Sequence, residues 1–104
     1  MTKNQLYKFT YEIYNRLNKD GFVLRFMRAP GVHGYCFPGA DLIKMNPQGE
    51  VLATLVHEMI HDIHPKWNED RVLAHEREVM AQLSHLQMAN LMIAMGKALL
   101  RSHK

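Results

Sequence analysis

The sequence predicts a small α+β domain in which an N-terminal helix and a short sheet precede a helical C-terminal half. The chain has 104 residues, 47% of them apolar and 22% charged, which suits one folded domain with one core. Apolar residues recur at helical spacing near both ends of the chain. Glycine and proline are concentrated between residues 30 and 39, among strand-like runs.

The first half is predicted to contain one helix and two or three strands. Residues 3–18 place Leu6, Phe9, Ile13 and Leu17 on one helical face. Residues 22–27 and 41–45 form two apolar, strand-like runs separated by turn residues. We therefore expect a short sheet of two or three strands after the helix.

The second half is predicted to be helical. Asn46 can cap a helix that has Pro47 at its first position and runs through residues 50–63. Pro65 ends that helix, Asn68 can cap the next one, and residues 69–95 contain no strong helix breaker. The last third is therefore expected to form one or two further helices.

The cysteine count, the apolar runs and the distribution of charge limit the kinds of protein that this chain can be. Cys36 is the only cysteine, so an intramolecular disulfide is excluded, and we expect a cytoplasmic protein. No apolar run is long enough for a membrane span. Residues 1–28 carry six basic and two acidic side chains, whereas residues 29–96 carry four basic and eight acidic ones. This asymmetry is compatible with a nucleic-acid surface and equally with a solvated helix face.

Residues 57–61, His-Glu-Met-Ile-His, form an HExxH motif on the predicted second helix. Positions i and i+4 share one helix face, so His57 and His61 can bind one ion. Zinc takes such nitrogen ligands, and a catalytic site leaves one position for water, whose pKa falls to about 7. Glu58 follows the first ligand and is the expected general base.

A catalytic zinc site needs a third protein ligand, for which His64, Glu69, His75 and Glu76 are candidates. His64 lies about 10 Å from His57 along the same helix, too far without a sharp turn. Glu69 is already explained by the favourable helix dipole at the start of its helix.

Glu76 is the predicted third ligand. It lies near the centre of an apolar stripe, where an ionised carboxylate is costly unless it is paired or binds a metal. His75 falls toward the polar edge of the same helix and is the alternative. The stripe consists of Val72, Val79, Leu83 and Leu86.

Residues 53–61, Ala-Thr-Leu-Val-His-Glu-Met-Ile-His, preceded by Leu-Ile-Lys-Met-Asn at 42–46, resemble the core of Spartan/SprT-like zinc metalloproteases. The likeness covers about residues 33–62. That family takes its third ligand from an HGxxF-like element downstream. Residues 75–79 are its nearest match, without the glycine and the aromatic residue, so this resemblance implies His75 as a ligand.

Residues 76–80, Glu-Arg-Glu-Val-Met, resemble the ExEAD-like element of gluzincin metallopeptidases, with Met80 in place of the final aspartate. The first glutamate of that element binds zinc, so this resemblance implies Glu76. Minimal single-domain gluzincins are also similar in layout. Both families imply a zincin-like domain over residues 1–104 that hydrolyses peptide bonds with Zn²⁺ and a glutamate base.

These resemblances set the expected partners. A protein or peptide substrate could pair with strand 41–45, if that strand lies at the edge of the sheet. The oxyanion could be stabilised by His33, Tyr35 or Arg71. The C-terminal helix could form a homodimer or cover the cleft. The alternative function is a non-catalytic zinc-binding module, associated with DNA or protein-DNA complexes.

Overall fold

The computed structural model describes residues 1–27, 34–45 and 50–102 and confirms the α+β class. His33, Asn46 and Pro47 lie outside these ranges. The elements in chain order are α1 (Lys3–Leu17), β1 (Val23–Phe26), β2 (Gly34–Phe37), β3 (Leu42–Met45), α2 (Val51–Ile63), α3 (Glu69–Gln82) and α4 (His85–Ser102).

Helix α1 begins with a capping box. Gln5 N donates to Thr2 Oγ1 at 3.1 Å, and Thr2 N donates to the Gln5 side chain at 2.7 Å. The helix ends at Leu17, and Gly21 turns the chain toward β1 with a φ of 83°. All four apolar positions predicted from the helical spacing are buried: Leu6, Phe9, Ile13 and Leu17.

The sheet has the order β1-β3-β2, with β1 parallel and β2 antiparallel to β3. The expectation that the strand at residues 41–45 forms an edge is therefore wrong, because β3 is paired on both sides. The edge beside the HExxH helix is β2. Tyr35 and Phe37 favour a strand, but the segment lies among the glycines and prolines of residues 30–39, which are typical of turns. Pairing with β3 holds this segment extended.

The two faces of the sheet differ. Leu24, Ile43 and Met45 point toward the helices and are fully buried. The opposite face presents alternate residues of the three strands to solvent, among them Arg25 and Lys44. The helices therefore cover one face of the sheet only.

Helix α2 lies at the centre of the core, where Leu55, Val56, Met59 and Ile60 are inaccessible to solvent. Asn68 caps α3 as predicted, with its side chain accepting from Arg71 N at 2.9 Å.

The last third forms two helices. The apolar stripe assigned to α3 extends too far, because α3 ends at Gln82 and Leu86 belongs to α4, where it is 71% exposed. Helix α4 packs inward through Leu91, Ala94 and Ala98. It exposes Leu86, Met92, Ile93 and Leu100, so the homodimer through this helix stays a prediction. Within the described residues, no helix has the length and apolar character that a membrane span requires.

Candidate metal centre

The HExxH motif lies at the floor of a cleft of about 860 Å³ bounded by β2, α2 and α3. One helical turn separates His57 from His61, and their ring centroids are 4.9 Å apart. Leu55, Val56, Met59 and Ile60 hold the other faces of α2 in the core, which fixes the direction in which both imidazoles project. The cleft thus brings together the three motif residues that the sequence singled out.

Glu69 provides the carboxylate that faces both imidazoles. Its Oε1 lies 2.8 Å from His57 Nε2, and its Oε2 lies 3.0 Å from His61 Nε2. One donor atom from each of these three residues falls within 4.8 Å of the others, which is close enough for a shared ion after small side-chain rotations. Two imidazole nitrogens and a carboxylate oxygen are ligands that zinc takes in catalytic sites.

Glu76 lies on the other side of the His57 ring, with Oε1 2.8 Å from Nδ1. His57 therefore has a carboxylate at both ring nitrogens, although a neutral imidazole carries only one N–H. When Nδ1–H donates to Glu76, the Nε2 lone pair faces Glu69 and is available to a cation that both groups would bind. The residues therefore fit a metal at the Nε2 side of the two histidines.

In this geometry Glu69 contacts Nε2 of both motif histidines, whereas Glu76, the predicted third ligand, contacts Nδ1 of His57. Glu69 and Glu76 are seven residues apart, two helical turns, so both project from one face of α3. Only five residues connect α2 to α3, so the first turn of α3 lies beside the last turn of α2. Glu69 therefore meets His61, and Glu76 lies level with His57. From the sequence, Glu69 shares the stripe with Glu76, and the favourable helix dipole at the start of α3 explained its carboxylate without a metal.

His75 lies outside the cleft, and its ring packs edge-on against Phe9 at 5.1 Å and Trp67 at 5.2 Å. His64 stacks on Trp67 with the ring centroids 3.8 Å apart. Burial lowers the pKa of both histidines, which favours their neutral forms. In this arrangement neither histidine faces His57 or His61, so the two form a packing cluster at the turn between α2 and α3.

Glu58 is 5% exposed and lies against the backbone of β2 at Gly34. Burial raises the pKa of its carboxyl to about 7; His57 opposes this shift, and the negative charge of Glu69 adds to it. A carboxyl group with a pKa near neutrality is suited to general acid–base chemistry. The sequence singled out Glu58 from its motif, but Gly34 carried no signal that could have identified it.

One turn beyond Glu58, Asp62 is a buried carboxylate with a structural partner. Arg16 Nη1 donates to its Oδ2 at 2.9 Å, and Cys36 Sγ lies 3.9 Å from its Oδ1. Burial, reinforced by the charges of Asp62 and Glu58, raises the pKa of the Cys36 thiol to about 12. The two buried acids on α2 therefore have different partners. Asp62 pairs with Arg16 of α1, whereas Glu58 lines the cleft.

Of the residues considered for oxyanion stabilisation, the structure places one in the cleft and one outside it. Tyr35 lines the cleft from β2. Arg71 places its guanidinium 4.0 Å above the Trp67 ring and does not line the cleft. His33 is outside the described residues.

Comparison with known proteins gives no neighbour for this chain: no family model, no curated protein and no solved structure matches it. The functional argument therefore depends on the residues of the cleft.

Proposed function

We propose that this chain is a zinc-dependent metallopeptidase in which His57, His61 and Glu69 hold the metal and Glu58 is the general base. One observation carries the proposal: the Glu69 carboxylate lies within 3.0 Å of Nε2 of both motif histidines, in a cleft that Glu58 also lines. Zinc bound there would polarise the substrate carbonyl and lower the pKa of water. Glu58 would take a proton from water and deliver it to the leaving amine.

The edge strand β2 supports a peptide as the substrate. It pairs with β3 along one side only, and Tyr35, Cys36 and Pro38 line the cleft. An extended peptide could add to this edge by backbone hydrogen bonds, which would pass its carbonyl groups over the motif histidines. The substrate-pairing role expected for strand 41–45 thus transfers to β2.

A catalytic site is favoured over a closed structural zinc site by the number of ligands. The group of residues within metal-binding distance has three members, whereas structural zinc sites have four protein ligands. In the part of the chain that the structure describes, three ligands would leave one coordination position of a bound zinc ion open. A substrate or a water molecule could occupy that position.

The test combines metal analysis with proteolysis of an unstructured protein such as casein. Wild type should carry about one zinc per chain and lose cleavage in a chelator. Glu58→Gln should keep its zinc and lose at least about 10²-fold in cleavage rate, the usual contribution of a general base. Asp70→Asn, an exposed carboxylate outside the cleft, is the control and should cleave normally. Cleavage by Glu58→Gln at the wild-type rate would remove the proposed role.

The solvent-exposed sheet face supports a second candidate function, binding of single-stranded nucleic acid. Arg25, Lys44 and Tyr35 form one cross-strand row, and Phe37 extends the aromatic surface beside Tyr35, with ring centroids 6.5 Å apart. Like charges on adjacent strands repel each other, and phosphate would relieve that repulsion. Exposed aromatic rings beside basic side chains are typical of surfaces on which bases stack.

Fluorescence anisotropy with a labelled oligo(dT) tests this second function. Binding should weaken with salt, and Arg25→Gln/Lys44→Gln should reduce the slope of log K against log salt by about 1.4. Phe37→Ala should weaken binding about tenfold, through lost stacking. Tyr11→Ala removes an equally exposed aromatic ring from α1 and should have no effect. Absence of binding at low salt would dismiss this function.

A further inference from the structure

Gly34, the first residue of β2, lies between the backbone of β3 and the side chain of Glu58. A β-carbon at position 34 would be 2.9 Å from the Lys44 carbonyl oxygen, 3.0 Å from Glu58 Cγ and 3.2 Å from Glu58 Cδ. Contacts this short are rarely tolerated by close-packed atoms. The missing side chain of Gly34 therefore provides the space in which the Glu58 carboxylate lies.

An added β-carbon would meet one fixed group and one movable group. Lys44 belongs to β3, which is held by β1 on its other side, so its carbonyl oxygen is fixed by the sheet. The contact with Glu58, by contrast, is with a side chain. The Glu58 side chain is the part able to rotate, so it would give way to an added methyl group.

The next inward-facing residue of β2 shows the same approach with a different consequence. Cys36 lies two residues after Gly34, and its Sγ is 3.9 Å from Asp62 Oδ1, an ordinary contact. Glu58 and Asp62 are one turn apart on α2, so the strand runs along the acidic face of the helix. Strand β2 therefore has room for a side chain opposite Asp62, where Cys36 lies, but has none opposite Glu58, where Gly34 lies.

We propose that Gly34 is a positioning residue for Glu58: a backbone without a side chain at this point of β2 fixes where the carboxylate lies relative to His57 and His61. This inference rests on the proposed function for its kinetic consequence only. The contact between Gly34 and Glu58 can be tested without any activity.

The kinetic arm compares Gly34→Ala with Gly96→Ala, since a β-carbon at Gly96 would meet no atom within 4 Å. Gly34→Ala should lower kcat about 10²-fold, the effect of a misplacement near 1 Å, with KM within twofold and zinc still near one per chain. Gly96→Ala should leave all three quantities unchanged. A kcat within twofold of wild type in Gly34→Ala would overturn the proposal.

The stability arm measures urea unfolding midpoints of wild type, Gly34→Ala, Glu58→Ala and the double variant. Removing Cγ and Cδ of Glu58 should at least halve the midpoint shift that Gly34→Ala causes. If Gly34→Ala shifts the midpoint equally in wild type and in Glu58→Ala, the proposed contact is contradicted. This outcome can be read even if wild type has no peptidase activity. If Gly34→Ala does not fold but the double variant does, the proposal is supported. If neither variant folds, the clash is with Lys44, and the proposal is overturned.

Discussion

Glu76 Oε1 lies 2.8 Å from Nδ1 of His57, on the side of the ring that faces away from Glu69. A carboxylate in this position holds the imidazole in the tautomer whose Nε2 lone pair is free for a metal. The two glutamates of α3 therefore contribute differently to the same histidine. Glu69 reaches both Nε2 atoms, and Glu76 orients one ring.

Zinc affinity should distinguish the two glutamates. We expect Glu69→Gln to weaken zinc binding more than Glu76→Gln, which should weaken it by about 10- to 100-fold, as for other carboxylates that orient a ligand. A competitive chelator titration measures both affinities. Asp70→Asn removes a neighbouring carboxylate from the first turn of α3, with the same loss to the helix dipole, and should bind zinc normally. Zinc loss in Glu76→Gln but not in Glu69→Gln would make Glu76 the ligand, as the sequence predicted.

The Arg16–Asp62 pair should contribute more to stability than a surface pair. The Asp62 side chain is 2% exposed, so Arg16→Met would leave a buried carboxylate without its cation. We expect a loss of about 3 kcal/mol in the free energy of unfolding, at the lower end for buried pairs because Arg16 itself is one-third exposed. The Lys19–Asp41 pair has the same 2.9 Å separation at the surface, and Lys19→Met should cost below about 1 kcal/mol in the same urea titration. Equal losses of stability from Arg16→Met and Lys19→Met would contradict the larger contribution expected of the buried pair.

Cys36 should react slowly with iodoacetamide. A thiol with a pKa of about 12 is almost entirely protonated at pH 8, and the thiolate is the reactive form. We expect alkylation of the folded chain to be roughly a thousandfold slower than alkylation of the same chain in denaturing urea. Mass spectrometry of quenched samples follows both reactions. A folded rate within tenfold of the unfolded rate would contradict the raised pKa.

The contribution of His75 to stability should be lost as the pH drops below about 6.5, the ordinary pKa of histidine. The pKa of His75 is lowered in the folded state, so the unfolded chain binds a proton first as the pH falls, which favours unfolding. The contribution of His75 is therefore complete above pH 6.5 and is lost toward its folded pKa. As the pH falls from 7.5 to 5, the urea midpoint of His75→Gln should rise relative to that of wild type, because the substitution removes this loss. The raised pKa of Glu58 acts in the opposite direction in both proteins, so the comparison with wild type isolates His75. His85→Gln, at an exposed position on α4, should leave the profile unchanged.

Removing residues 97–104 should destabilise the chain. In the described part of this segment, Ala98 is buried in the core. Two hydrogen bonds also join α4 to other parts of the chain: Ser102 Oγ accepts from Leu24 N at 3.0 Å, and Arg101 donates to the Leu17 carbonyl. None of residues 97–102 lines the cleft, so the expectation that this end covers it is not met. We expect a lower melting temperature without increased cleavage. Leu100→Ala, at a side chain that is 74% exposed, is the control and should melt like wild type.

Local signals in the sequence were sufficient to predict that the helices and the motif exist. The predicted start of α2 was wrong, because this helix begins at Val51 with Glu50 as its N-cap and not at Pro47. Apolar spacing predicted the four apolar buried residues of α1, and Asn68 was correctly predicted to cap α3. These features depend on neighbours within a few positions, so periodicity and capping chemistry determine them. His57, Glu58 and His61 share one helix face for the same reason.

Contacts between distant parts of the chain required the tertiary structure. Strand β2 exists because β3 pairs with it, and Gly34 matters because Glu58 on α2 lies against it. Likewise, the short turn from α2 into α3 places Glu69 at both histidines and Glu76 at the far side of one ring. The sequence by itself determined which residues lie on one helix face. How the strands and helices face one another was decided only by packing around the common core.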